Sequence, residues 1–186
     1  MSQEEKDRKK KIKQLLIKLE SGDKTKILEA LKGFKVHGDS SVITNLLTVW
    51  NQHSERDGEI SNEVLQFMCD LKHNDSVTPI MEAVKSDLYP NIRLDLLTSI
   101  WNSKVDYSEF LNDFIERAVK GDFMETLECL TIIENMEGPF QEHQFLDAQI
   151  TLSEYAEIQN KEPKKEQLMS EIARIVKEFE TNHIEF

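Results

Sequence analysis

One apolar signature, with an aliphatic, methionine or phenylalanine side chain at every third position over seven residues, recurs four times along this chain of 186 residues. It reads Leu28-x-x-Leu31-x-x-Phe34, Leu65-x-x-Met68-x-x-Leu71, Leu94-x-x-Leu97-x-x-Ile100 and Leu127-x-x-Leu130-x-x-Ile133. Three-residue spacing gathers side chains on one face of a helix, so each copy specifies an amphipathic helix. The starts lie 37, 29 and 33 residues apart, a period that belongs to stacked supersecondary units. A second apolar run follows each copy: Val42, Ile43, Leu46 and Leu47; Val77, Ile80, Met81 and Val84; Phe110, Leu111, Phe114 and Ile115; Phe145, Leu146 and Ile150. Each unit is therefore expected to be a pair of helices.

The junctions supply reasons to stop and restart. Gly22-Asp23, Gly38-Asp39, Asn74-Asp75 and Gly121-Asp122 each offer a residue tolerant of left-handed backbone and a carboxylate able to cap the next helix. The pattern predicts about ten helices, near residues 5–20, 23–37, 39–53, 58–73, 76–86, 90–102, 106–120, 122–137, 139–159 and 163–182. No strand alternation competes. The last helix carries Leu168, Ile172, Ile175, Val176 and Phe179 on one stripe, the form of a terminal cap. Length predicts a single domain over 1–186, with residues 1–11 too poor in apolar surface to offset their ordering entropy.

Charge is unevenly spread. The net charge is −12, yet residues 1–26 hold nine Lys/Arg against five Asp/Glu, while residues 106–160 hold thirteen acids against Arg117 and Lys120 alone. Such an acidic stretch repels nucleic acid and steers basic partners. The charged N-terminus and the lack of an apolar run of about 20 residues speak against a signal peptide and a membrane span, so a cytoplasmic location is expected. Cys69 and Cys129 lie within apolar helical patterns, which suits reduced, buried thiols.

No glycine-rich phosphate loop, G-x-S-x-G elbow or H-E-x-x-H zinc helix is present. His37 and His73, each two residues before a capping Asp, are explained by the helix dipole without a metal. Glu142-His143 near Asp147 is an ordinary surface arrangement, and Trp50, Trp101, Met68, Met81, Met124 and Met136 read as packing residues. No catalytic residue, metal site or cofactor is expected.

At Ser76 to Ser103, SVTPIMEAVKSDLYPNIRLDLLTSIWNS, the chain resembles a HEAT repeat. Pro79 stands in the first helix, Asp87 to Pro90 form the turn, and Pro90-Asn91-Ile92-Arg93 opens the second helix, where proline costs little because its missing N–H would be unpaired anyway. The resemblance implies an all-α fold, a short irregular HEAT-like or armadillo-like α-solenoid of about ten helices in antiparallel pairs with a right-handed superhelix. It also implies that Arg93 bridges neighbouring repeats through a carboxylate. Stacked pairs leave one extended surface for a partner, and polar positions outside the triplets include Asp70, Asp95 and Glu128, which are expected to line an acidic groove for the basic segment of another protein. The alternative is a HEAT-like protein that binds nucleic acid or modifies its bases, which would need a basic channel. A homo-oligomer could form through Lys6 to Lys13 against the acidic stretch of a second copy, and the apolar face of that basic helix is better used in packing than on a membrane.

Overall fold

A computed structural model describes residues 2–54, 57–72 and 74–184. Among them it has ten α-helices and no strand. The chain divides into two compact units, residues 1–105 and 106–186.

The first unit holds α1 (Gln3–Leu19), α2 (Lys24–His37), α3 (Ile43–His53), α4 (Gly58–Cys69), α5 (Val77–Lys85) and α6 (Arg93–Asn102). Residues 3–11, which offer little apolar surface, are helical nonetheless. A capping box starts α1: the Glu5 amide donates to Ser2 Oγ and the Ser2 amide to Glu5 Oε2, satisfying two amides that helix ends otherwise leave unpaired. Arg8 then donates to the carbonyls of His37 and Gly38 at the end of α2. Ile12, Leu15 and Leu19 are buried, and a Cβ on Gly33 would meet Leu15 Cδ2 at 2.5 Å, which explains a glycine in mid-helix.

Helices α1, α3 and α5 contact one another in succession, as do α2, α4 and α6, and α3·α4 and α5·α6 join the two series. The bonds between the series members are polar as well as apolar. Asn45 of α3 donates to Glu20 Oε1 after α1, and Asn51 of α3 accepts from the Asn91 amide through Oδ1 at 3.2 Å, fixing the turn that opens α6. Lys24 at the start of α2 meets Asp57 and Glu59 at the start of α4, both at 2.9 Å, and Lys35 meets Glu63 at 2.9 Å. Lysine holds the Asp57 carboxyl below its ordinary value, and Glu59 first, then Asp57, holds Lys24 above its own. Asp57 therefore contributes stability above the ordinary aspartate range that is lost as pH falls through its folded value, and Lys24 contributes below the ordinary lysine range until pH rises through its folded value. Lys24→Gln is expected to lower the melting temperature at neutral pH, by an amount that shrinks as pH falls through the folded value of Asp57. Thermal melts across pH check this.

The second unit holds α7 (Leu111–Lys120), α8 (Phe123–Glu134), α9 (Glu142–Glu157) and α10 (Pro163–Ile184). Helix α7 contacts α8 and α9, and α10 lies against α8 and α9, burying Met169, Ile172, Ile175 and Val176. Buried Gln144 donates to the Ser108 carbonyl at 2.7 Å.

The four signature helices bury the second residue of every expected triplet, and the third in all but Leu71, but not the first. Ile27, Ala30, Leu31 and Phe34 are buried in α2; Val64, Phe67 and Met68 in α4; Leu96, Leu97 and Ile100 in α6; Thr126, Cys129, Leu130 and Ile133 in α8. The first residue of each triplet, Leu28, Leu65, Leu94 or Leu127, sits at the margin instead. Helices at 3.6 residues per turn bury a three-four stripe, which a strict three-residue ladder leaves within two turns. The junctions also differ in part from expectation. Gly22 is left-handed at φ 71°, and Asp23 and Asp122 cap as anticipated. Gly38 and Gly121 have ordinary φ values of −64° and −75°. They are glycines because a Cβ would crowd the Phe34 carbonyl in one case and the Glu125 carboxylate in the other. Asp75 lies inside a short 3-10 turn rather than capping a helix. His37 ends α2; His73 lies outside the described residues.

Candidate functional site

Counting charge by unit separates the two halves. The first has sixteen Lys/Arg and sixteen Asp/Glu, whereas the second has seven against nineteen, so the whole net charge of −12 lies on residues 106–186. Within 106–160 the two cations are both occupied. Arg117 is buried and meets Glu125 at 3.0 Å, and Lys120 meets Glu116 at 3.3 Å. Each cation is matched by a carboxylate of the same stretch, and the other eleven acids there have no Lys or Arg of the stretch to offset them.

Helix α9 concentrates what remains. It carries Glu142, Asp147, Glu154 and Glu157, all exposed, and no Lys or Arg. Its buried side is made by Gln144, Phe145, Ala148 and Tyr155. On the opposite side Leu146 is 59% exposed and Ile150 51%. These two were expected to pack with Phe145 in the core, and the structure corrects that reading. In α3, α5 and α7 the apolar side chains fall at relative positions 0, 3, 4 and 7: Ile43, Leu46, Leu47 and Trp50; Val77, Ile80, Met81 and Val84; Leu111, Phe114, Ile115 and Ala118, all buried. In α9 that frame is held by Gln141, Gln144, Phe145 and Ala148, the last three buried, which leaves Leu146 and Ile150 outside it.

Beside Leu146 a groove of about 500 Å³ opens between α9 and α10, lined by Phe145, Leu146, Gln149, Glu180 and His183 with Glu142 and His143 at its edge. Its wall is aromatic: the Phe145 ring lies 5.7 Å from Phe140 and 5.6 Å from His183, and Phe140 stacks on Phe179 at 4.7 Å. Gln149 Nε2 donates to both carboxylate oxygens of Glu180 at 3.0 Å. A neutral amide fixes that carboxylate without cancelling its charge.

The residues expected to form an acidic groove are dispersed. Asp70 is the C-cap of α4 and exposed. Asp95 stands half-buried in the first turn of α6. The Lys104 amide donates to the Leu71 carbonyl at 3.1 Å, so the end of α6 lies beside the end of α4, and Asp95 is at the far end of its helix from Asp70. Glu128 belongs to the second unit, half-buried on α8. Arg93 donates to the Ser86 carbonyl at 2.8 Å and to Asp87 at 3.1 Å, fastening the turn before its own helix. Trp50 is fully buried, as expected, but Trp101 is 39% exposed and Met124 44%, so neither is a simple core residue. Glu142, His143 and Asp147 are all exposed. Both cysteines are free, Cys69 half-buried and Cys129 buried, and burial pushes both thiols up from their ordinary value. Among the described residues no helix is long and apolar enough to cross a membrane, and no group of three or more His, Cys, Asp or Glu is arranged to hold a metal. Comparison with family models, curated proteins and solved structures finds no match to this chain.

Proposed function

We propose that this chain is a non-catalytic helical-repeat scaffold that binds the basic segment of another protein through its acidic second unit. The observation that carries the reading is the segregation of charge: a neutral unit joined to one of −12, whose central cations are held internally. Fields of one sign over a whole unit raise association rates with oppositely charged partners. The architecture is consistent with a short HEAT-like α-solenoid. The contacts of α1 with α3 and α3 with α5, beside those of α2 with α4 and α4 with α6, are those of two layers, and Arg8 reaching the end of α2 supports antiparallel pairing within a unit. A right-handed superhelix and an inter-repeat role for Arg93 belong to the same proposal.

A second reading, nucleic-acid binding, rests on α1, where Lys6, Lys9, Lys10, Lys11 and Lys13 are all exposed. The two readings part in one experiment. The full chain serves as bait in native lysate with and without nuclease, at low and high salt, beside a variant with those five lysines changed to Gln. Substitution is needed because cutting away α1 would remove Ile12, Leu15 and Leu19, which are buried in the intact chain, and bare the face of α2 that they cover. The scaffold reading expects a stoichiometric protein partner that high salt releases and the Gln variant retains. Recovery of nucleic acid, lost with nuclease and with the Gln variant, overturns it.

A further inference from the structure

Large aliphatic side chains on a solvent face forgo the free energy of burial, so an exposed pair that the core does not require asks for a covering partner. Leu146 and Ile150 are such a pair: four residues apart, they stand one turn above the other, in a row that Glu142 begins and Ser153 and Glu157 continue, all of it exposed. Asp147 and Glu154 border the row on one side, and the groove of Phe145, Gln149, Glu180 and His183 opens on the other. The face thus combines two apolar knobs, an open recess of about 500 Å³, and four helix carboxylates plus Glu180 with no Lys or Arg on α9 itself.

We infer that the outer face of α9 is the docking site of the scaffold proposed above, and that its occupant is an amphipathic helix of a partner protein with large apolar residues at i and i+4 flanked by Lys or Arg. The inference rests on the scaffold reading and adds the place and the form of the ligand. Charge complementarity selects the basic flanks, since a peptide with acidic flanks would bring like charges against Glu142, Asp147, Glu154 and Glu157. The apolar pair selects a helix, because helix-in-groove recognition presents anchors at this spacing. The chain's own α1 is basic but unsuited. Its apolar stripe of Ile12, Leu15 and Leu19 is already buried in the first unit, so a second copy would offer lysines with Ile17 alone exposed among them and no pair of anchors at i and i+4.

The test uses the full chain and a labelled amphipathic peptide of Leu and Lys, followed by fluorescence anisotropy at low and high salt. Two control peptides have Leu replaced by Ser or Lys replaced by Glu. The double variant Leu146→Ser/Ile150→Ser is expected to bind the Leu/Lys peptide roughly 10- to 50-fold more weakly, the change expected from losing two partly buried aliphatic side chains. The Ser-substituted peptide should bind more weakly than the Leu/Lys peptide and be indifferent to the variant, and the Glu-substituted peptide should not bind. Both substitutions are on exposed positions, so circular dichroism of the variant should match that of the parent. Hydrogen exchange on the unaltered chain gives an independent reading: the Leu/Lys peptide should slow exchange across residues 142–157. Equal binding by parent and variant, still lost at high salt, overturns the α9 site and leaves the acidic scaffold standing. Failure of both Lys peptides to bind at low salt overturns the two together. Self-association of the chain alone that the double variant abolishes would make the occupant a second copy and overturn the choice of partner.

Discussion

Replacing Trp50 with alanine is expected to cost about 4 kcal/mol of folding free energy. Trp50 is the largest fully buried side chain of the first unit. It lies in α3, and its indole Nε1 donates to Ser61 Oγ of α4 at 2.8 Å in a buried hydrogen bond. Alanine removes the transfer free energy of the ring, opens a cavity between two helices, and leaves the Ser61 hydroxyl to find a new partner. The conservative variants separate these contributions. Trp50→Phe keeps most of the apolar volume and should cost about 1–2 kcal/mol, while Ser61→Ala strands the indole N–H and should cost a similar amount. Urea unfolding followed by circular dichroism measures all three, since tryptophan emission changes with the substitution itself. A loss under about 1 kcal/mol for Trp50→Ala would mean that α3 and α4 close the gap at little cost, and that this contact does not hold the unit together.

The same helix shows how much of the fold the sequence carries. Ile43, Leu46, Leu47 and Trp50 are all buried, and three of the four stand out as an apolar run from the chain alone. Helix number and approximate bounds are legible because period 3.6 is written into every segment and Gly or Asn with Asp marks four of the nine breaks. The exact face is less legible. The triplets Leu28-Leu31-Phe34 and Leu94-Leu97-Ile100 catch two buried residues each and one marginal one, because a residue such as Ala30 or Ser99 is buried by its place on the helix and not by its own hydropathy. The 3-10 turns at Ser40–Val42, Asn74–Ser76, Pro90–Ile92 and Ser108–Phe110 are opened by local signals in three cases, Asp39 capping Ser41, Asp106 capping Ser108 and Pro90 in the first turn, but such signals mark a helix start without telling a 3-10 turn from an α turn. The division at residues 105 and 106 is equally silent, since no Gly- or Pro-rich linker marks it. For the candidate site, the acidic stretch 106–160 was legible from charge alone. Asp70, Asp95 and Glu128 share only the property of being polar positions outside the apolar triplets, which does not fix the end of a helix or the unit that a residue occupies. Leu146 and Ile150 looked like core because hydrophobic spacing is the same for a buried stripe and for a docking stripe. The signal that distinguishes them is the frame shared by α3, α5 and α7, which becomes visible only once those helices are aligned by their buried residues.

The buried ion pair of the second unit gives the other large effect, and its sign depends on how many charges are removed. Arg117 of α7 and Glu125 of α8 meet at 3.0 Å with side chains only 10% and 17% exposed, and Arg117 Nε has no hydrogen-bond partner among the described residues. Lys165 stands close by, its Nζ donating to the Val119 and Gly121 carbonyls at the end of α7. Burial first, and then the Arg117 charge, hold Lys165 below the ordinary lysine value, while Asp122 and Glu125 oppose them. Glu125→Ala leaves Arg117 and Lys165 facing each other without that carboxylate and should cost about 3–4 kcal/mol, the usual penalty for an uncompensated buried charge. Arg117→Met with Glu125→Met removes both desolvation costs and keeps the packing volume, so it should be close to neutral or stabilising. Lys165 adds a pH signature. Its folded value lies below its unfolded one, so its ammonium opposes folding at neutral pH and that penalty lifts as pH rises through the folded value toward the unfolded one. Glu125→Ala removes a group that raises the folded value, so its alkaline recovery should begin at lower pH than in the parent. Urea midpoints from neutral to alkaline pH test both statements. Equal losses in Glu125→Ala and in the double variant would show that the cost lies in packing at this point of α8 and not in the stranded guanidinium.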